Sequence, residues 1–231
     1  MNISPDSIVI LTIGPFTLNG TIFFTWIVMA LITGVSWMIT RKLSVEPDIS
    51  RWQNLLESIV SILRNQIRDI TRQDPDHYLE FVGTLFLFIS ISNLMAFIPG
   101  YQPPTGSIYT TAGLALSVFF AVPYFGIRKR GLTDYLKHYI KPVIFMLPFN
   151  IIGELSRTLA MAVRLFGNIM SGTMIVAILL SIAPLFVPIV MELLGLLIGQ
   201  IQAYIFAVLA TVYIASATRA YQSKENNVEE E

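Results

Sequence analysis

The chain has 231 residues, 54% of them hydrophobic and only 13% charged, about half the charged share of an average soluble domain, a balance that suits lipid. Fifteen basic and fifteen acidic residues cancel, so there is no bulk electrostatic case for nucleic acid or acidic partners, and any function must come from placed charges. No cysteine is present, which excludes disulfides, thiolate metal sites and cysteine nucleophiles.

In chain order, "MNISPDSIVILTIG" has no basic n-region and no small-residue cleavage site, so it does not read as a signal peptide. An apolar stretch over 21–40, closed by Arg41 and Lys42, is long enough to cross a hydrocarbon core of about 30 Å as a helix. Over 51–72, Leu55, Leu56, Ile59, Ile62, Leu63, Ile67 and Ile70 recur at helical spacing opposite Arg64, Arg68, Asp69 and Arg72. That pattern predicts an amphipathic helix at the membrane surface or capping a bundle. A second span is predicted over 79–98, stopped by Pro99 and Gly100, and "YQPPTGS" reads as a tight turn. A third span runs over 108–127 and ends at Arg128–Arg130. His77 and His138 fall in polar linking stretches, with no metal-ligand spacing around either.

Beyond Lys141 the character changes. Residues 143–218 hold only Glu154, Arg157, Arg164 and Glu192 as charges, and they divide at "APLFVP" into segments over 143–183 and 188–218. At about 1.5 Å per residue each exceeds one bilayer thickness, so each must tilt strongly or break. The basic linkers fall on one side of the membrane and the uncharged turns on the other, which puts the N-terminus outside and the C-terminus in the cytoplasm. The charged C-terminal tail belongs with the basic linkers, so the last two segments form a hairpin. The expected fold is an all-α membrane protein forming a single membrane domain. It has about five membrane-embedded helices plus one amphipathic helix, the last two long and tilted as a hairpin.

On one helix, Asn150, Glu154, Arg157, Arg164, Asn168 and Ser171 share a sector of about 100°. Lipid cannot solvate such a stripe. Glu154 and Arg157, three residues apart, suit a structural ion pair. Arg164 has no acidic residue at i±3 or i±4, and a guanidinium near the bilayer centre costs at least about 2.5 kcal/mol. It therefore requires an acidic partner on another helix or chain, or a water-filled cavity. On the last segment Glu192, Gly195, Gly199, Gln202 and Phe206 project to one side. The two glycines suit close helix approach, and Gln202 is placed to reach the neighbourhood of Arg164. Glu192 suits either a titrating role in a half-channel or a helix cap after Pro188.

With those residues in place, the chain resembles subunit a of the rotary F-type ATP synthases. The resemblance rests on "RLFGN" at Arg164–Asn168, preceded by "ELSRTLAMAV", on "IQAYIFAVLATVYI" at Ile201–Ile214, and on "NLMAFIPGYQPPTGSIYTTAGLAL" at Asn93–Leu116. It implies that Arg164 is the essential arginine facing a ring of c subunits that carry membrane-embedded carboxylates. Gln202 matches the family's glutamine near that arginine, and Asn168 its asparagine one turn on. The resemblance further implies two aqueous half-channels that couple H⁺ or Na⁺ flow to rotation of the ring. A b-type peripheral stalk and the remainder of the synthase are implied partners; the compact length suits a bacterial plasma (inner) membrane, with an organellar membrane as the alternative. The chain itself is then a non-catalytic subunit without cofactor or metal.

Two positions depart from the family pattern. Thr173 stands where many members have an acidic residue, and Gly195 where some place His or Glu. Glu192 and Glu154 remain as titratable candidates, with Ser171 and Thr173 able to hold water or a coordinated cation. The alternative reading is a stand-alone secondary transporter or channel with Arg164 binding an anionic substrate, which would favour internal repeats. None is evident in the sequence.

Overall fold

Five helices of the computed structural model are long and apolar enough to cross a membrane. The structure describes residues 6, 9–13, 16–41, 51–98, 100–131, 146–182 and 187–219. A short antiparallel ribbon comes first, β1 over Val9–Ile13 pairing with β2 over Phe16–Asn19. Hydropathy does not predict it. The signal available is local, two short apolar runs separated by Gly14-Pro15, a dipeptide that marks turns. The remaining elements are helical, so the fold is all-α as expected.

Helix α1, Gly20–Thr40, is about 31 Å long, one hydrocarbon thickness. Its apolar residues lie all round the helix, and only Gly20, Thr21 and Val28 are buried. Arg41 closes it with its guanidinium 5.1 Å from the Trp37 ring centre, a cation–π pair of the kind that anchors a span at the interface. Helix α2, Arg51–Thr71, turns Leu63, Ile67 and Thr71 inward and leaves Arg64, Arg68 and Asp69 exposed. It stops at Arg72, whose φ of 53° leaves the helical region. An exposed ion pair, Arg64–Asp76 at 2.5 Å, bridges to the next helix and contributes little in water.

Helix α3, Asp76–Leu94, buries Tyr78, Val82, Leu85, Ile89, Ser92 and Asn93 along one face. His77 stands in its first turn, exposed, and not in a linker as the polar pattern suggested; His138 lies outside the described residues. A 3-10 turn, Met95–Phe97, ends this span. The following turn is folded into the bundle, with Pro104, Thr105, Gly106 and Ser107 all buried. Ser107 then caps helix α4, Ile108–Arg130, accepting from the Tyr109 amide at 3.3 Å.

The last two helices are unbroken, so tilting is the way left for them to fit a bilayer. Helix α5, Met146–Ile182, has 37 residues and helix α6, Val187–Arg219, has 33, about 55 and 50 Å. Residues 143–145 and 183–186 lie outside the described residues. Helix α6 is the hub of the bundle, packing on α2, α3, α4 and α5. Its buried seam, Gly199, Gln202, Ala203, Phe206, Ala207, Ala210, Thr211, Ile214, Ala215 and Thr218, runs mostly as adjacent pairs repeating every four residues. Most of these side chains are small, which suits close approach where lipid offers no hydrophobic drive.

Candidate functional site

Arg164 is carried on the outside of the bundle. Met161, Ala162 and Leu165 are buried and pin α5 against the core, so the intervening Arg164 is turned outward and is exposed. Around it the surface is apolar, with Leu159 64% and Val163 51% exposed. Among the described residues no carboxylate lies within ion-pair distance of Arg164.

Two cavities, mostly apolar but with polar side chains in their walls, flank that level of the bundle. Toward the hairpin turn, a cavity of about 160 Å³ is lined by Asn93, Tyr101, Asn168, Thr173, Glu192 and Gly195, among others. That volume holds several waters. The Thr173 hydroxyl donates to the Ile169 carbonyl at 2.7 Å, and the Ser171 hydroxyl donates to the Asn168 carbonyl at 3.1 Å. Both hydroxyl protons are spent on the helix, so their oxygens are left as acceptors for water or a cation. Burial pushes the Tyr101 phenol above its ordinary range, and the group stays neutral at any physiological pH.

Toward the open end of the hairpin the second cavity is about 20 Å³ and includes Glu154, Arg157, Thr158, Tyr213 and Ser216 in its lining. It has room for about one water. Arg157 lays its guanidinium 5.7 Å from the Tyr213 ring centre, so this arginine ties α5 to α6 and is not confined to its own turn. Glu154 is half-buried at the same level. Along α5, Glu154 lies about 15 Å before Arg164, and Thr173 about 14 Å after it.

The stripe expected on the last helix divides. Gly199, Gln202 and Phe206 are buried, whereas Glu192 and Gly195 are exposed to the larger cavity. A Cβ on Gly199 would meet the Asn93 side chain at 3.2 Å, while one on Gly195 would meet nothing within 4 Å. Close approach is thus a property of Gly199, toward α3. Arg157 stands against Tyr213 and Thr173 shares a cavity with Gly195, so the hairpin register sets Gln202 opposite residues 166–168. That is within about one turn of Arg164. The sequence reading did not single out Asn93, Tyr101 or Tyr213. Asn93 and Tyr101 lay inside the "NLMAFIPGYQ" match, and Tyr213 needed the register of the hairpin.

A family model described as "ATP synthase A chain" matches residues 22–215. The chain belongs to the ATP synthase A chain family. It is 58% identical over 222 residues to ATP synthase subunit a 2 of Acaryochloris marina, covering 96% of this chain and 95% of that protein. It is 59% identical to ATP synthase subunit a 1 of Chlorobaculum parvum, covering 95% and 97%. It is 57% identical to ATP synthase subunit a of Albidiferax ferrireducens, covering 97% of each. Membership makes the chain an integral membrane protein of an ATP synthase, its ion-translocating stator subunit. The stand-alone transporter reading has no support among these relatives.

Proposed function

We propose that Arg164 faces a rotating ring of c subunits and that the two flanking cavities are the ends of two half-channels. An ion enters through the cavity at Asn168, Thr173 and Glu192, neutralises a ring carboxylate, and that neutral site rotates into lipid. After nearly a full turn it meets the second pathway, at Glu154, and releases its ion. Arg164 stabilises the ionised carboxylate at the interface, so an occupied site cannot slip directly from one pathway to the other. Gln202 lies near this exchange, Thr173 supplies an acceptor oxygen in the entry cavity, and Ser171 supplies one on the exposed face of α5 outside that cavity's lining. Arg157 holds the hairpin together, Gly199 lets α6 seat closely on α3, and Gly195 keeps the entry cavity open.

The observation that carries this reading is the exposed Arg164 guanidinium, with no carboxylate among the described residues to pair it, on a helix whose two flanking cavities each carry a glutamate and other polar side chains in their walls. The chain is non-catalytic, its chemistry being ion exchange with a partner's carboxylate. Its partners are the c ring and a b-type peripheral stalk, in a bacterial plasma membrane, with the N-terminus outside and the C-terminus in the cytoplasm. The test is Arg164→Ala in the assembled synthase. Ion-coupled ATP synthesis is abolished while the uncoupled head still hydrolyses ATP; synthesis at the wild-type rate would refute the reading.

A further inference from the structure

Helix α6 is fastened to α3 by a polar clasp in which Ser90 and Gln200 have no part in the roles above. The Ser90 hydroxyl donates to Gln200 Oε1 at 2.5 Å, and Gln200 Nε2 donates back to the Ser90 carbonyl at 2.9 Å. One turn along α3, Asn93 Nδ2 donates to the Gly199 carbonyl at 2.8 Å, and the Thr105 hydroxyl donates to Asn93 Oδ1 at 3.1 Å. Asn93 and Thr105 are buried, and a Cβ on Gly199 would press on Asn93. So two successive residues of α6 are each held by α3, with the second anchor buttressed from the turn before α4.

Beyond Gly199, and apart from Gln202, Phe206 and Ile214, the α6 seam is Ala and Thr, small side chains whose nondirectional contacts tolerate a small axial slide. Hydrogen bonds cannot slide in that way. A displacement of one residue, about 1.5 Å, separates the Ser90–Gln200 pair and leaves an amide and a hydroxyl unpaired inside the membrane. Gln202 lies two residues from the clasp, and the hairpin register brings it within about one turn of Arg164. We infer that Ser90 and Gln200 are positioning residues that lock the axial register of α6, and through it the height of Gln202 relative to Arg164. This rests on the function proposed above.

The test uses the assembled synthase in proteoliposomes and reads ion pumping per ATP hydrolysed, with complex yield measured separately. Gln200→Leu removes both bonds and Ser90→Ala one, and an interhelical hydrogen bond in a membrane contributes about threefold to an equilibrium. Pumping per ATP is expected to fall by about tenfold in Gln200→Leu and about threefold in Ser90→Ala. Ser90→Thr, which keeps the hydroxyl, restores it, and the double variant is no worse than Gln200→Leu alone. A purely structural role would lower complex yield and leave the pumping ratio untouched. Wild-type ratios in the assembled variants, or additive effects in the double variant, would overturn the clasp. If Gln200→Leu does not assemble, the Ser90→Ala and Ser90→Thr pair decides the matter alone. Arg164→Ala in parallel separates the claims: coupling lost there but retained in the clasp variants refutes the clasp only, whereas coupling retained in Arg164→Ala refutes the function.

Discussion

Helices α1 and α5 are equally bare. In each, 6% of the most apolar window is buried within the chain, yet their uncovered faces are chemically opposite. The face of α1 is Phe23, Trp26, Met29, Val35 and Met38, with no charge before Arg41, and lipid satisfies it completely. That of α5 alternates Leu155, Leu159 and Val163 with Arg157, Arg164, Ser171 and Thr173, all exposed. The difference teaches that exposure in a membrane chain does not by itself say what covers it. Charge decides, because lipid accepts one face and rejects the other.

Four substitutions sharpen that contrast. The largest effect belongs to Arg164→Ala, which removes all coupling while leaving the chain able to insert, since it deletes an unfavourable charge from an apolar surface. Met29→Arg is its mirror image, placing a guanidinium midway along α1 where nothing can neutralise it. It should cost about 2.5–3.5 kcal/mol of insertion free energy and lower the membrane-integrated yield, measured by carbonate extraction. Full yield would mean that α1 also meets a protein partner. The smallest effect separates two glycines. Gly199→Ala presses on Asn93, which two hydrogen bonds hold in place, and should lower stability, whereas Gly195→Ala meets open space and should raise it by about 0.5–1 kcal/mol through helix propensity, both read as shifts in thermal unfolding of the complex. Equal shifts would remove the distinction between the α3 contact and the open cavity.

The same contrast explains how much was legible beforehand. Spans and the amphipathic helix follow from runs and periodicity, and those signals are local. The need for an external partner was also legible, because Arg164 lacks an acid at helical spacing. What periodicity could not supply was the cover over each face. Gly195 and Gly199 share a side of one helix by spacing, yet one meets open cavity and the other Asn93, a fact set by α3. Arg157 had an acidic neighbour at i−3, but the contact to Tyr213 arises from a residue 56 positions away, brought near by the hairpin. The ribbon at Val9–Asn19 was missed because two four- or five-residue strands leave little hydropathy signal beside a 21-residue span.

The most direct measurement of the central claim is a cross-link, made clean by the absence of cysteine from the chain. A cysteine introduced as Val163→Cys, beside Arg164 on the exposed face of α5, is oxidised against a cysteine placed one helical turn from the carboxylate of the c subunit. A second sample carries Met29→Cys on α1. The expected result is a disulfide between α5 and the ring that stops coupled ATP hydrolysis and is reversed by reductant, with none from α1. A disulfide from α1 and none from α5 would contradict the account.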